Sequence, residues 1–204
     1  LSGTASAGLD YNNPASGSIT IPANRNSAIL DINVIDDTLL EETETVVLSV
    51  NNVISDYNVQ MRSSIDTLSI EDNDISILSI NGPLIITEGN TGTQTLTFEV
   101  KLDKAVASNF TVYYRTQDAT ATSTTNDYQS TNGTLAFAGL ANETKTITVT
   151  INGDTRVEGT EFFELLLENL SLSYDGRLRI SGSPSRGIIL DDDKVQRYAV
   201  KRQL

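Results

Sequence analysis

Apolar residues along this chain recur with a period of two. Leu96, Phe98, Val100 and Leu102 alternate with polar residues; so do Phe110, Val112 and Tyr114, then Ile147, Val149 and Ile151, then Phe163, Leu165 and Leu167. Nearer the N-terminus, Leu30, Ile32 and Val34 alternate, as do Val46, Leu48 and Val50. Successive side chains of an extended strand point to opposite faces, so the pattern predicts strands with one buried and one wetted face. Thr, Val and Ile fill these runs, turn residues break them about every 8–12 positions, and no amphipathic helical stripe appears. One sheet alone cannot hide the apolar face of every strand, whereas two stacked sheets can. The fold class expected is therefore all-β, as tandem immunoglobulin-like antiparallel β-sandwiches.

The tandem arrangement follows from an internal repeat. Asp10-Tyr11 recurs as Asp127-Tyr128, Ile32-Asn33-Val34 as Val149-Thr150-Ile151, Glu41-Glu42-Thr43-Glu44 as Glu158-Gly159-Thr160-Glu161, and Asp72-Asn73-Asp74 as Asp191-Asp192-Asp193. The blocks keep their order at separations of 117 to 119 residues. The repeat divides the chain into residues 1–74, residues 75–193 and a tail, 194–204, which is either an end segment or the first strand of a following repeat. Residues 75–116 have no counterpart ahead of Leu1, so the first copy is read as a partial repeat lacking its first strands. A sandwich without them exposes edges and part of its core. Those strands are expected from neighbouring copies or from sequence beyond this chain.

Composition narrows the chemistry. The chain has 27 acidic and 14 basic residues, a net charge of −13. So acidic a body lacks the basic face that neutralises phosphates, which excludes nucleic acid as the expected partner. There is no Cys, His or Trp, which removes the usual zinc sites and thiol or imidazole catalysis and leaves oxygen donors, the ligands of hard cations. No apolar run approaches the ~18 residues of a membrane-spanning helix, so no direct membrane insertion is expected.

The placement of the acids matters more than their number. Asp36-Asp37-Thr38-Leu39-Leu40-Glu41-Glu42-Thr43-Glu44 carries five carboxylates between two clean strands, and Asp10, Asp72 and Asp74 fall at other strand ends. If these loops share one tip of a sandwich, the carboxylates converge. Two unit charges ~4 Å apart repel by ~4 kcal/mol at an effective dielectric of ~20, and several such pairs rival the stability of a whole domain. A divalent cation removes that cost. A carboxylate-dense cage built from loops suits calcium (Ca2+), which accepts six to eight oxygens in flexible geometry, better than magnesium, which keeps its waters. The opposing reading, that each Asp is a solvated turn residue, holds for single positions but fits the repeated constellation poorly. An EF-hand is excluded, because Asp72-Asn73-Asp74-Ile75 runs into a strand.

These blocks resemble the Calx-β domain family: Asp-Tyr, then Ser-Gly-x-Ile, then Ile-Asp-Asp-x-x-x-Glu-x-x-Glu, then a closing Asp triplet. The resemblance covers nearly the whole chain. It implies a seven-stranded immunoglobulin-like sandwich that binds several calcium ions at one tip. Carried over by position, it implies Asp10, Asp36, Asp37, Glu41, Glu44, Asp72 and Asp74 as ligands in the first copy, with Leu39 supplying a carbonyl. In the second copy it implies Glu88 of Thr87-Glu88-Gly89, Asp127, Asp154, Glu158, Glu161, Asp191, Asp192 and Asp193. Gly153 stands where an Asp is expected and Asn73 replaces an Asp of the closing triplet, so fewer ions and affinities on the order of 10⁻⁴–10⁻³ M are expected. The Glu71–Asp74 stretch also resembles a cadherin linker, but the central loop matches the Calx-β pattern better.

No residue pattern marks an enzyme. The function expected is a calcium-binding structural or adhesive module of an extracellular or cell-surface assembly, with calcium stiffening the interdomain joints. The alternative is a calcium-sensing regulatory domain coupled to a membrane transporter or another effector.

Overall fold

The period-two runs form strands where a neighbour exists to pair with them. The computed structural model describes residues 1–14, 17–62 and 64–194, and it separates at the repeat boundary into a unit ending at Asp74 and a unit starting at Ile75. The expected tail or following strand lies outside the described residues, apart from Lys194.

In the first unit the strands are β1 (Ser2–Gly3), β2 (Tyr11–Asn12), β3 (Asn33–Val34), β4 (Glu44–Ser49) and β5 (Ile65–Ile70). They make a three-stranded sheet in the order β1-β4-β5 and a separate β2-β3 pair. The second unit contains β6 (Ser76–Ile80), β7 (Leu84–Thr87), β8 (Thr93–Leu102), β9 (Phe110–Gln117), β10 (Asn132–Phe137), β11 (Thr144–Asn152), β12 (Glu161–Glu168), β13 (Leu178–Ser181) and β14 (Ser185–Leu190). Its two sheets have the orders β10-β9-β12-β14-β7 and β11-β8-β6-β13, an immunoglobulin-like sandwich. Pairing is antiparallel except for β13 with β6 and β14 with β7, which run parallel. The chain crosses from the first of these pairs to the second twice, from β6 to β7 through Gly82-Pro83 and from β13 to β14 through Ser183-Pro184.

The inner faces of the second unit interdigitate around Phe163. Phe98 meets it edge-on with ring centroids 6.2 Å apart, and Tyr128 stacks on it at 4.5 Å. Gly187 lies against the same ring: a Cβ there would come within 2.3 Å of Phe163. The Tyr128 hydroxyl donates to Asp118, which lets this ring be buried without an orphaned donor.

The first unit has a smaller core of Ala5, Tyr11 and Val46, with Ile32 and Ile70 packed against it. Its apolar alternation is less well covered. Val34 is 59% exposed and Val50 41%, whereas their repeat counterparts Ile151 and Leu167 are 0% and 5% exposed. The run expected over residues 30–34 pairs only at Asn33–Val34. Its counterpart β11 is held along its whole length by β8, and no strand takes the place of β8 among the described residues of the first unit.

Candidate metal centre

The topology of the second unit gathers four loop ends at one tip. β7 and β14 run parallel, so Glu88, just after β7, and Asp191–Asp193, just after β14, emerge together. The loop between β9 and β10 brings Asp127, and the loop between β11 and β12 brings Asp154 and Glu158 and ends on Glu161, the first residue of β12.

Two groups of three acids result. In one, single carboxylate oxygens of Glu88, Asp191 and Asp193 lie within 4.8 Å of one another; in the other, those of Asp127, Glu158 and Glu161 do. The first unit has one such group, Asp10, Glu41 and Glu44, in the positions of Asp127, Glu158 and Glu161. Asp10, Asp36, Asp37, Glu41, Glu44, Asp72 and Asp74 also line a single cavity, so the convergence expected from the sequence is realised there.

Repeated hydrogen bonds build the two sites alike. The Glu41 amide donates to Asp72 Oδ2 at 2.7 Å, and the Glu158 amide to Asp191 Oδ2 at 2.7 Å. The Leu39 amide donates to Asp37 Oδ1 and the Arg156 amide to Asp154 Oδ1, each at 2.7 Å. The Asp74 amide donates to Asp72 Oδ1 at 2.9 Å, matched by Asp193 to Asp191 Oδ1 at 2.7 Å. Asp10 accepts from the Ser6 amide as Asp127 does from Thr122. Asp10, Asp37, Asp127 and Asp154 thus each fix their own loop with one oxygen, Asp72 and Asp191 use one oxygen on the turn that follows and the other on the central loop, and every carboxylate keeps further lone pairs for another partner.

The electrostatics reflect crowding. Burial, then Asp154, Asp191, Glu158 and Asp193, push Glu88 up to about 7. Burial, then a hydrogen bond to Asp10 and the charges of Asp10 and Glu41, push Glu44 up to about 7. Burial and neighbouring acids also raise Glu41, Glu161 and Asp193. Each shift has the same origin: the charged form loses water and faces like charges.

A cation fits this arrangement on independent grounds. Glu88 is 4% exposed, and its Oε1, like Asp193 Oδ2, is buried with no hydrogen-bond partner. A buried carboxylate oxygen without a donor is costly unless a cation meets it. Two oxygens on one calcium ion lie at most about 5 Å apart, because each Ca–O bond is about 2.3–2.6 Å. The 4.8 Å limit within each group satisfies that bound.

The remaining expected ligands lie around these groups. Asp36, Asp37, Asp72 and Asp74 line the first cavity outside its three-acid group, and Leu39 is not part of the cavity lining. Asp154 is close enough to raise Glu88. Asp192 serves as a tie: its carboxylate accepts from the Gly89 amide at 3.0 Å and from Asn90 Nδ2 at 3.1 Å. Asn73, its counterpart, donates to Asp36 at 3.3 Å. The middle triplet position therefore links loops in both units, and replacing Asp by Asn there takes no member from a three-acid group. Gly153 also has a steric reason. A Cβ at that position would lie 2.3 Å from the Gly89 carbonyl oxygen and 2.8 Å from that of Glu88. The segment that carries Glu88 occupies the space an Asp side chain needs.

Sequence reasoning missed Arg156, whose guanidinium meets Glu158 at 3.0 Å. Its position between Asp154 and Glu158 was the available signal, since a cation inside an acid run offsets part of its charge. Leu39 stands at the corresponding position of the first unit.

Comparison with known proteins agrees with this architecture. No curated protein sequence matches the chain. Among solved structures, the apo form of the Calx CBD1 domain superposes with a TM-score of 0.50 at 21% identity, covering 59% of this chain and 100% of that one. The CBD12 structure from CALX1.2 gives a TM-score of 0.47 at 22% identity, covering 56% of this chain and 46% of that one. The Calx-beta domain model matches residues 1–74 and again 71–193, so the chain belongs to the Calx-beta domain family.

Proposed function

We propose that this chain is a non-catalytic calcium-binding module of an extracellular or cell-surface assembly, in which calcium stiffens the joint between repeats. The observation that carries calcium binding is the pair of buried, partnerless oxygens, Glu88 Oε1 and Asp193 Oδ2, inside a three-acid group. In this reading Asp10, Glu41 and Glu44 hold an ion in the first unit, assisted by Asp36, Asp37, Asp72 and Asp74. In the second unit the two groups with Asp154 hold the others. Two features support the joint-stiffening role. Asp72 and Asp74 are both acids of the first cavity and the last residues before the second unit begins at Ile75. An ion held there restricts the chain at the point of connection. The abundance of Asn, Ser and Thr, the few Lys and the absence of Cys suit a surface-exposed repeat.

A regulatory sensor coupled to a membrane transporter or another effector is the second reading, because an ion held at the same point of connection would serve that role as well. Isothermal titration decides binding: no heat and no thermal shift at ~5 mM calcium would defeat it. Small-angle scattering with and without chelator separates the roles. Dimensions that change only toward millimolar calcium support the structural joint, and a change complete at micromolar calcium supports the sensor.

A further inference from the structure

We propose that Asp118, an acid outside the three-acid groups, is a positioning residue that presets Asp127, Glu158 and Glu161 for their cation. Its role toward the cation rests on reading that group as a calcium site; the clamp it forms does not.

Asp118 opens the loop between β9 and β10, which runs over residues 118–131 and carries Asp127. The end of β11 fixes the backbone around Asp127. The Asp127 carbonyl accepts from the Asn152 amide at 3.0 Å, and the Gln129 amide donates to the Thr150 carbonyl at 2.8 Å. The side chain is aimed by other means. Asp127 Oδ2 accepts from the Thr122 amide and from the Thr125 hydroxyl, each at 2.7 Å. The turn that holds these donors needs an anchor of its own, and Asp118 supplies it. Its Oδ1 accepts from the Ser123 amide at 3.0 Å and from the Tyr128 hydroxyl, and its Oδ2 accepts from the Ser123 hydroxyl at 3.3 Å. One carboxylate thus joins the residue after Thr122 to the residue after Asp127, across the pair whose hydrogen bond directs Asp127.

The same turn reaches a second member of the group. Ala121 is buried, and its amide donates to the Phe162 carbonyl at 2.9 Å. The Phe162 amide donates back to Thr120 Oγ1 at 2.9 Å. Phe162 directly follows Glu161, and Phe163 stacks on Tyr128. Asp127 and Glu161 therefore share one frame, and Asp118 closes it.

Two observations separate Asp118 from the acids it serves. It lies in none of the three-acid groups of the described residues. The hydrogen bond from Tyr128, then that from the Ser123 amide, hold its carboxyl below the usual carboxylate range, whereas burial and the charge of Asp127 push Glu161 up. Protein donors satisfy the charge of Asp118, while Glu161 faces like charges. A preset group spares the ion the work of ordering those side chains.

The test uses the full chain and its Asp118→Ala, Asp118→Asn and Tyr128→Phe variants. Nuclear magnetic resonance follows the Asp127 and Asp193 amides through a calcium titration, which reads the two groups of the second unit separately. Hydrogen exchange at the Thr122 amide, measured in chelator, reads the clamp without metal. In Asp118→Ala the affinity read at Asp127 is expected to fall about tenfold and that read at Asp193 by less than about threefold. Exchange at Thr122 is expected to rise about tenfold. Asp118→Asn keeps an oxygen for Tyr128 and Ser123, and is expected to bring both readouts back to within about threefold of the native chain. Tyr128→Phe keeps the ring stack and loses one bond of the clamp, so it is expected to fall between the two. Equal losses in Asp118→Asn and Asp118→Ala overturn the proposal, because Asp118 then acts through its charge. Equal weakening at Asp127 and Asp193 overturns it as general loosening, and unchanged affinity at Asp127 overturns it outright. If Asp118→Ala does not fold, Tyr128→Phe decides, and native affinity at Asp127 in that variant overturns the proposal. If the native chain takes up no calcium while Thr122 exchange still rises, the calcium reading fails and the clamp stands.

Discussion

The two acidic tips of this chain are built by the same backbone and filled differently. In both, an amide within the central loop ties to the first Asp of the closing triplet, and an Asp near the loop start caps its own turn. The first tip gathers seven of its expected acids around one cavity, yet only Asp10, Glu41 and Glu44 reach a common point. The second has Gly153 instead of Asp36 and Arg156 instead of Leu39, yet forms two such groups. The difference teaches that the count of acids in a loop does not set the number of three-acid groups. What sets it is whether a neighbouring strand delivers a carboxylate to the opposite wall.

Glu88 is the largest lever on that contrast. Glu88→Gln keeps the shape but removes a charged ligand, and it is expected to weaken calcium at its group by about two orders of magnitude. The first unit's calcium binding should be unchanged. Titration calorimetry checks this, and an equal loss in both units would break the comparison.

Acidity comes next. Glu88 is pushed up to about 7 in the folded chain, so the folded state binds more protons than the unfolded state between about pH 4.5 and 7. Without calcium, stability is then fully supported below the unfolded value and falls as pH rises through 7, by about 1.4 kcal/mol for each unit of displacement. Glu44 adds the same sign in the first unit. With saturating calcium the slope reverses, because the ion binds only the carboxylate forms. Thermal unfolding across pH 4.5–8 in chelator and in calcium reads both slopes; parallel slopes would contradict the cation assignment.

A reciprocal swap sharpens the comparison at its steric point. Gly153→Asp forces a side chain against the Gly89 and Glu88 carbonyls and is expected to destabilise the second unit by about 1–3 kcal/mol. Asp36→Gly removes an exposed contact with Asn73 and should cost less than about 1 kcal/mol. Denaturant unfolding measures each. The smallest effect is expected at Arg156, whose side chain is largely exposed. Arg156→Leu makes the second loop resemble the first and should raise calcium affinity about twofold to fivefold, the scale of a surface ion pair.

Much of this was legible in the residues. The alternation of Leu96 with Phe98 and of Phe163 with Leu165 names both the strands and their buried faces, because a pleated strand leaves no other option. The repeat of Asp10-Tyr11 in Asp127-Tyr128 and of the closing triplet locates the acids of both tips. The parallel pairing of β13 with β6 and β14 with β7 was not legible, because both strand senses share one side-chain period. The shortening of the run at residues 30–34 to Asn33–Val34 was equally hidden, since a strand needs a partner as well as a pattern.

By itself, then, the sequence determined the alternating runs, the two-fold repeat and the inventory of carboxylates, all of which follow from local periodicity and residue chemistry. Only the tertiary structure decided how those carboxylates are shared out. It placed Glu88 against Asp191 and Asp193, turned Asp192 into a tie to Gly89 and Asn90, and gave Gly153 its reason. Those outcomes depend on the distance between loops far apart in the chain. Burial and charge act through that distance, and no spacing along the sequence records it.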